Sequence, residues 1–166
     1  MHQLRSKSLL GLTAAMLLPI LACAGSAAAA VDGPTAVVAV KALNFLQPKP
    51  AKPTPVAIVT DSGQAAAGDQ LKGALGADVA AKVVDGAGGD LTGAVAVIVA
   101  GASDISGKAA SGQLVIGDMA CMEAGKCALA VERQASGAAK YHVNTAALTK
   151  AGVSFDKNFQ MLVTAH

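Results

Sequence analysis

Short apolar runs recur along this chain, each followed by turn-forming residues. Val56–Thr60, Val95–Val99 and Leu114–Ile116 are continuously apolar or nearly so, as expected of strands buried on both faces, and Val79–Val84 reads as a further strand. Between them, Gln64–Leu75 has the pattern of a helix ending at Gly76, Asp85–Asp90 is a Gly-rich turn, and Ser103–Ala110 is a weak helix. This alternation predicts an α/β fold, a single three-layer domain with a mostly parallel sheet and right-handed crossovers. The tail changes period. Strands at 127–133 and 140–144, hinged at Ser136-Gly137, form an antiparallel hairpin; Thr145 then caps a short helix stopped by Gly152. Phe155, Phe159, Leu162 and Val163 follow at helical offsets and predict an amphipathic terminal helix.

Ahead of the first strand, Val31–Pro34 reads as a loose end, and Thr35 as the cap of a helix running to about Leu46. Lys41, Asn44 and Gln47 form its polar stripe, while β-branched Val37, Val38 and Val40 pull mildly toward a strand. Pro48, Pro50, Pro53 and Pro55 then make a stiff connector, since proline fixes φ and donates no N–H.

Residues 1–30 have the anatomy of a secretory signal peptide: basic Arg5 and Lys7, an apolar segment Leu9–Leu21, and small residues Ala27–Ala30 before Val31. The domain proper is then 31–166, and the periplasm is its expected destination. Ile20-Leu21-Ala22-Cys23 loosely resembles a lipobox; lipidation at Cys23 would anchor the domain instead, but Leu21 fits that motif poorly. Of 13 Lys and Arg residues, two leave with the leader, so the 11 that remain match the 11 acids. A neutral domain has no basic field to hold nucleic acid. Although 53% of residues are apolar, many are alanine, and there is no Trp and one Tyr. The core is therefore expected to be thin and to gain from a covalent clip.

The candidate motifs are sparse. Gly101–Ala109 resembles a phosphate loop but has five residues between Gly101 and Gly107, and Ala follows Lys108 where Ser or Thr is required. Gly86-Ala-Gly88-Gly89 fails the dinucleotide fingerprint because no third glycine falls at the required position. Beyond the leader, only His142 and His166 remain as histidines, and no Ser lies in a nucleophile elbow, so catalytic residues are expected to be none and no cofactor is expected. Asp61, Asp104 and Asp118 follow strands and so reach the carboxyl edge of the sheet, where ligands bind; ordinary helix caps and turns also place carboxylates there. Cys121 and Cys127 flank one short loop containing Gly125. In an oxidising compartment they are expected to form a disulfide worth roughly 2–3 kcal/mol in the chain-entropy model. That bond is either structural or redox-responsive. A third reading makes Met119, Cys121, Met122 and Cys127 a soft site of the kind that suits Cu(I), in a small-ligand or copper-binding protein serving a transporter or receptor.

Several tail segments resemble a known family: Gly125-Lys-Cys-Ala-Leu-Ala-Val-Glu-Arg133, Lys140-Tyr-His-Val-Asn144, and Ala146-Ala-Leu-Thr-Lys-Ala-Gly-Val153. They are similar to the C-terminal signature of the periplasmic YfiR-like family (YfiR/HmsC). Upstream, Lys41-Ala-Leu-Asn-Phe45 and Leu114-Val-Ile-Gly-Asp118 stand in the family's order. The resemblance implies a periplasmic α/β regulator without catalytic activity. By the same resemblance, its partner is the periplasmic domain of an inner-membrane diguanylate cyclase, held inactive so that cyclic-di-GMP signalling and biofilm formation respond to envelope redox state. Relatives often form homodimers, and Cys121 and Cys127 fall where they carry a disulfide. The chain departs from the pattern at Leu46-Gln47-Pro48, at His142 where a glutamate is common, and in lacking a second cysteine pair.

Overall fold

The computed structural model describes residues 31–105 and 107–166; the predicted leader, its cleavage site and Cys23 lie outside them. Val31 is buried and Asp32 caps the first helix, α1 (Gly33–Lys41), its carboxylate accepting the Thr35 N–H at 2.8 Å. The entry segment is thus not a loose end, and the cap is Asp32 rather than Thr35. Pro34 is the reason: lacking an N–H, it fits the first turn of a helix and draws the start upstream. A 3-10 turn, Ala42–Phe45, prolongs α1, with Lys41, Asn44 and Gln47 exposed as the polar stripe required.

In chain order there follow β1 (Leu46–Gln47), β2 (Thr54–Thr60), α2 (Ala65–Ala74), β3 (Val79–Asp85), β4 (Ala96–Val99), β5 (Leu114–Gly117) and α3 (Met119–Glu123). The tail supplies β6 (Leu129–Arg133), β7 (Ala139–Val143), α4 (Thr145–Ala151), β8 (Ser154–Phe155), α5 (Lys157–Gln160) and β9 (Val163–Ala165). The described residues form a seven-stranded sheet of order β3-β2-β4-β5-β6-β7-β9. From β3 to β6 every pairing is parallel; β7 turns back antiparallel on β6, and β9 runs parallel to β7. This is the expected α/β domain with a C-terminal hairpin. Because β3 and β4 lie on opposite sides of β2, strand order reverses between β2 and β4.

Alternating side chains divide the core between two faces. Val56, Ile58, Ile98, Ile116 and Leu129 pack against α1, α2 and the tail. Ala57, Val59, Val97, Val115 and Ala130 meet Leu91, Ile105 and Met122, so loops and the five-residue α3 cover this face. No helix is found among the described residues of 103–110: Gly107 and Lys108 lie in a turn, with Gly107 at φ 82°, and Ile105 is buried in the core with Ala109 packed against it.

The terminal amphipathic helix is also corrected. Phe155 and Phe159 do share a surface, but only the single turn α5 is helical, capped by Asp156, which accepts the Phe159 N–H at 2.9 Å. The chain then extends as β9 along the open edge of β7, which suits β-branched Val163 and Thr164. All four aromatic residues of the chain converge here. Phe159 lies 5.2 Å from Phe45, 5.0 Å from Tyr141 and 4.5 Å from Phe155, centroid to centroid, and the Tyr141 hydroxyl donates to the Val38 carbonyl. A chain poor in aromatics spends them all on fastening its tail to α1 and β7. Likewise α4 is capped by Asn144, one residue before Thr145, and ends at Gly152 with φ 71°.

Candidate functional site

The crevice expected where strand order reverses, between β2 and β4 at their carboxyl ends, is bridged by protein. Asp61 follows β2, and its carboxylate accepts the Ser103 hydroxyl at 2.8 Å and the Ala102 N–H at 3.2 Å. Those two hydrogen bonds, the Ser103 one first, hold its pKa below the ordinary carboxylate value. Gly101 is needed for this closure, since a Cβ there would stand 2.6 Å from the Asp61 carboxyl carbon. Asp61 is a loop anchor.

The open space lies one strand further along, between the loops that leave β4 and β5. A cavity of about 160 Å³ is lined there by Gly101, Ser103, Asp104, Asp118, Cys121 and Lys126, among others. Lys126 pairs with Asp104 at 2.8 Å. Asp118 caps α3, its carboxylate accepting the Cys121 N–H at 2.7 Å, which places Cys121 beneath the cavity. A larger cavity of about 330 Å³ opens beyond Lys126 toward α4 and is lined mainly by alanine and glycine.

Cys121 and Cys127 meet over Gly117. Both are thiols in the structure. A methyl group at position 117 would lie 2.7 Å from the Cys121 sulfur and 3.1 Å from the Cys127 sulfur, so the missing side chain is the space the pair occupies. The two differ in access. Cys127 is wholly buried and does not line the cavity; Cys121 is partly exposed and does. Their acidities diverge with that geometry. A hydrogen bond from Cys127 lowers the Cys121 pKa, aided by the Lys126 ammonium and opposed by burial and by Asp118. The same hydrogen bond, together with burial, pushes the Cys127 thiol up. Its sulfur is also 3.8 Å from the Asp118 carbonyl oxygen. Cys121 is thus the more acidic and the more accessible sulfur of the pair, and so the readier nucleophile, and Cys127 the less acidic. Of the four sulfurs suggested for a soft metal, Met122 is buried among core residues and Met119 packs partly buried against them.

A second polar cluster combines residues that looked unrelated in the sequence. His142 is 5% exposed, with Nδ1 2.8 Å from His166 Nε2 and Nε2 3.1 Å from Glu132 Oε2. Once Nε2–H donates to the carboxylate, Nδ1 of the neutral ring accepts from His166 Nε2–H. The hairpin register was the signal available: Ala130 faces His142, so Glu132 lies two residues along on the same face.

Compared with protein-family models and with curated proteins, the chain matches none.

Proposed function

We propose that this chain is an exported regulatory binding protein that works by contact rather than turnover, and that its Cys121–Cys127 pair closes to a disulfide in an oxidising compartment. The observation that carries the reading is the meeting of the two sulfurs over Gly117, where β5 passes into α3. A disulfide there would tie the start of α3 to the segment leading into β6, within the layer where loops rather than long helices cover the sheet. Exposed apolar residues Met161 and Leu162, beside the edge strand β9, offer a contact surface in keeping with a protein partner. Following the resemblance, the partner is the periplasmic domain of a membrane diguanylate cyclase, kept inactive while bound. Deleting the gene then raises cellular cyclic-di-GMP, and reintroducing it restores the level. A deletion that leaves the level unchanged removes the cyclase from the proposal.

A further inference from the structure

We infer that the cavity over Cys121 admits a small disulfide of the cystine class, a zwitterionic or cationic aminothiol disulfide, which Cys121 attacks and Cys127 resolves. The inference rests on the proposed closing of the pair and adds the oxidant. Three observations support it. Only one of the two sulfurs can be reached from the cavity, because Cys121 lines it and Cys127 is 0% exposed beneath. About 160 Å³ is below the range of pockets for drug-sized ligands, so it takes one half of such a disulfide, roughly one amino-acid unit, and leaves the other half outside. In the lining Asp104 is paired with Lys126 at 2.8 Å and Asp118 caps α3, which leaves one carboxylate charge in excess and favours a guest that brings an ammonium group. An anionic disulfide meets net repulsion.

The chemistry balances without any further reagent. The Cys121 thiolate attacks one sulfur of RSSR, the S–S bond breaks, and RS⁻ leaves and takes up a proton. Cys127 then attacks the Cys121 sulfur, loses its own proton, and expels the second RS⁻, which is protonated in turn. The protein dithiol is oxidised by two electrons and RSSR is reduced to two RSH. The lowered pKa of Cys121 and the raised pKa of Cys127, beside the difference in access, fit this order of attack.

The test uses the reduced chain with Cys127→Ser, which keeps a donor beside Cys121 but cannot resolve the adduct. Cystine, cystamine and oxidised glutathione are added separately, samples are acid-quenched, and adducts are located by peptide mass spectrometry. Each rate is divided by that of the urea-unfolded variant, to remove intrinsic reactivity. Cystine and cystamine should form a mixed disulfide on Cys121 about tenfold faster than oxidised glutathione, roughly the effect of one favourable charge contact. In the wild-type chain the same reagents should release two thiols per chain and close the pair, a readout that does not depend on how the variant folds. Equal normalised rates for all three reagents, or an adduct on Cys127 in the Cys121→Ser variant at a comparable rate, would overturn the inference. Diamide separates the two levels. If it closes the wild-type pair while cystine does not, the entry site is wrong and the proposed closing stands; if neither closes it, both fail.

Discussion

The two polar clusters of this domain are built from similar materials and differ in what they leave over. At His142 both ring nitrogens are engaged, one by Glu132 and one by His166, and the ring is buried. At Gly117 a partly exposed sulfur with a lowered pKa lies under a cavity, beside a buried sulfur whose pKa is raised. The first arrangement consumes its hydrogen-bonding capacity internally and so contributes to stability and to the seating of β9. The second keeps a nucleophile accessible. Polar burial alone therefore does not mark a functional site here; unused capacity next to open space does.

The contrast can be broken from either side. The largest effect is expected from His142→Ala, which empties a buried site and strips Glu132 and His166 of their shared partner, costing about 3 kcal/mol. Urea denaturation should show that loss while Cys121 alkylation in the native state is unchanged; altered thiol reactivity would mean the clusters are coupled. Next comes Gly117→Ala. Its methyl group would crowd both sulfurs, so about 2 kcal/mol is lost to overpacking and the thiols are driven apart. Wild-type chain should gain about 2 kcal/mol on oxidation by loop closure, whereas the alanine variant gains little, as paired denaturation curves with and without oxidant will show. The smallest effect is on acidity. Because the hydrogen bond from Cys127 is the first cause of the lowered Cys121 pKa, Cys127→Ala should move the pH profile of Cys121 alkylation to higher pH. A profile that stays in place assigns the lowering to Lys126, and Lys126→Ala then becomes the variant that moves it.

Much of the sheet was legible because buried parallel strands are continuous apolar runs, and β2, β4 and β5 are that and little else. The hairpin of β6 and β7 was legible from Ser136-Gly137 between two extended runs. The 155–163 segment was not, since Phe155 and Phe159 have helical spacing whether one turn or three are helical. What decides the outcome is the open edge of β7, a property of the assembled sheet. The cover over Ala57, Val59 and Val97 misled for a related reason: Leu91, Ile105 and Met122, from separate segments, cover it together, so the burial of Ile105 does not require a helix at 103–110. At the candidate site, the two cysteines were legible as a pair, but Gly117 as the floor beneath them was not, because its role is empty volume. The asymmetry between the sulfurs was equally hidden, since it depends on burial and on a cavity that residues 99–105 line together with α3 and Lys126. Glu132, His142 and His166 were separately visible and could be joined only through strand register.

The account turns on whether the sulfurs over Gly117 join in the oxidising compartment proposed for the chain. Non-reducing peptide mapping of protein recovered from the periplasm, alkylated at harvest, answers this directly. The account predicts a Cys121–Cys127 cross-linked peptide lighter by two hydrogens and refractory to alkylation until reduced. Recovery of both cysteines as alkylated free thiols would contradict it.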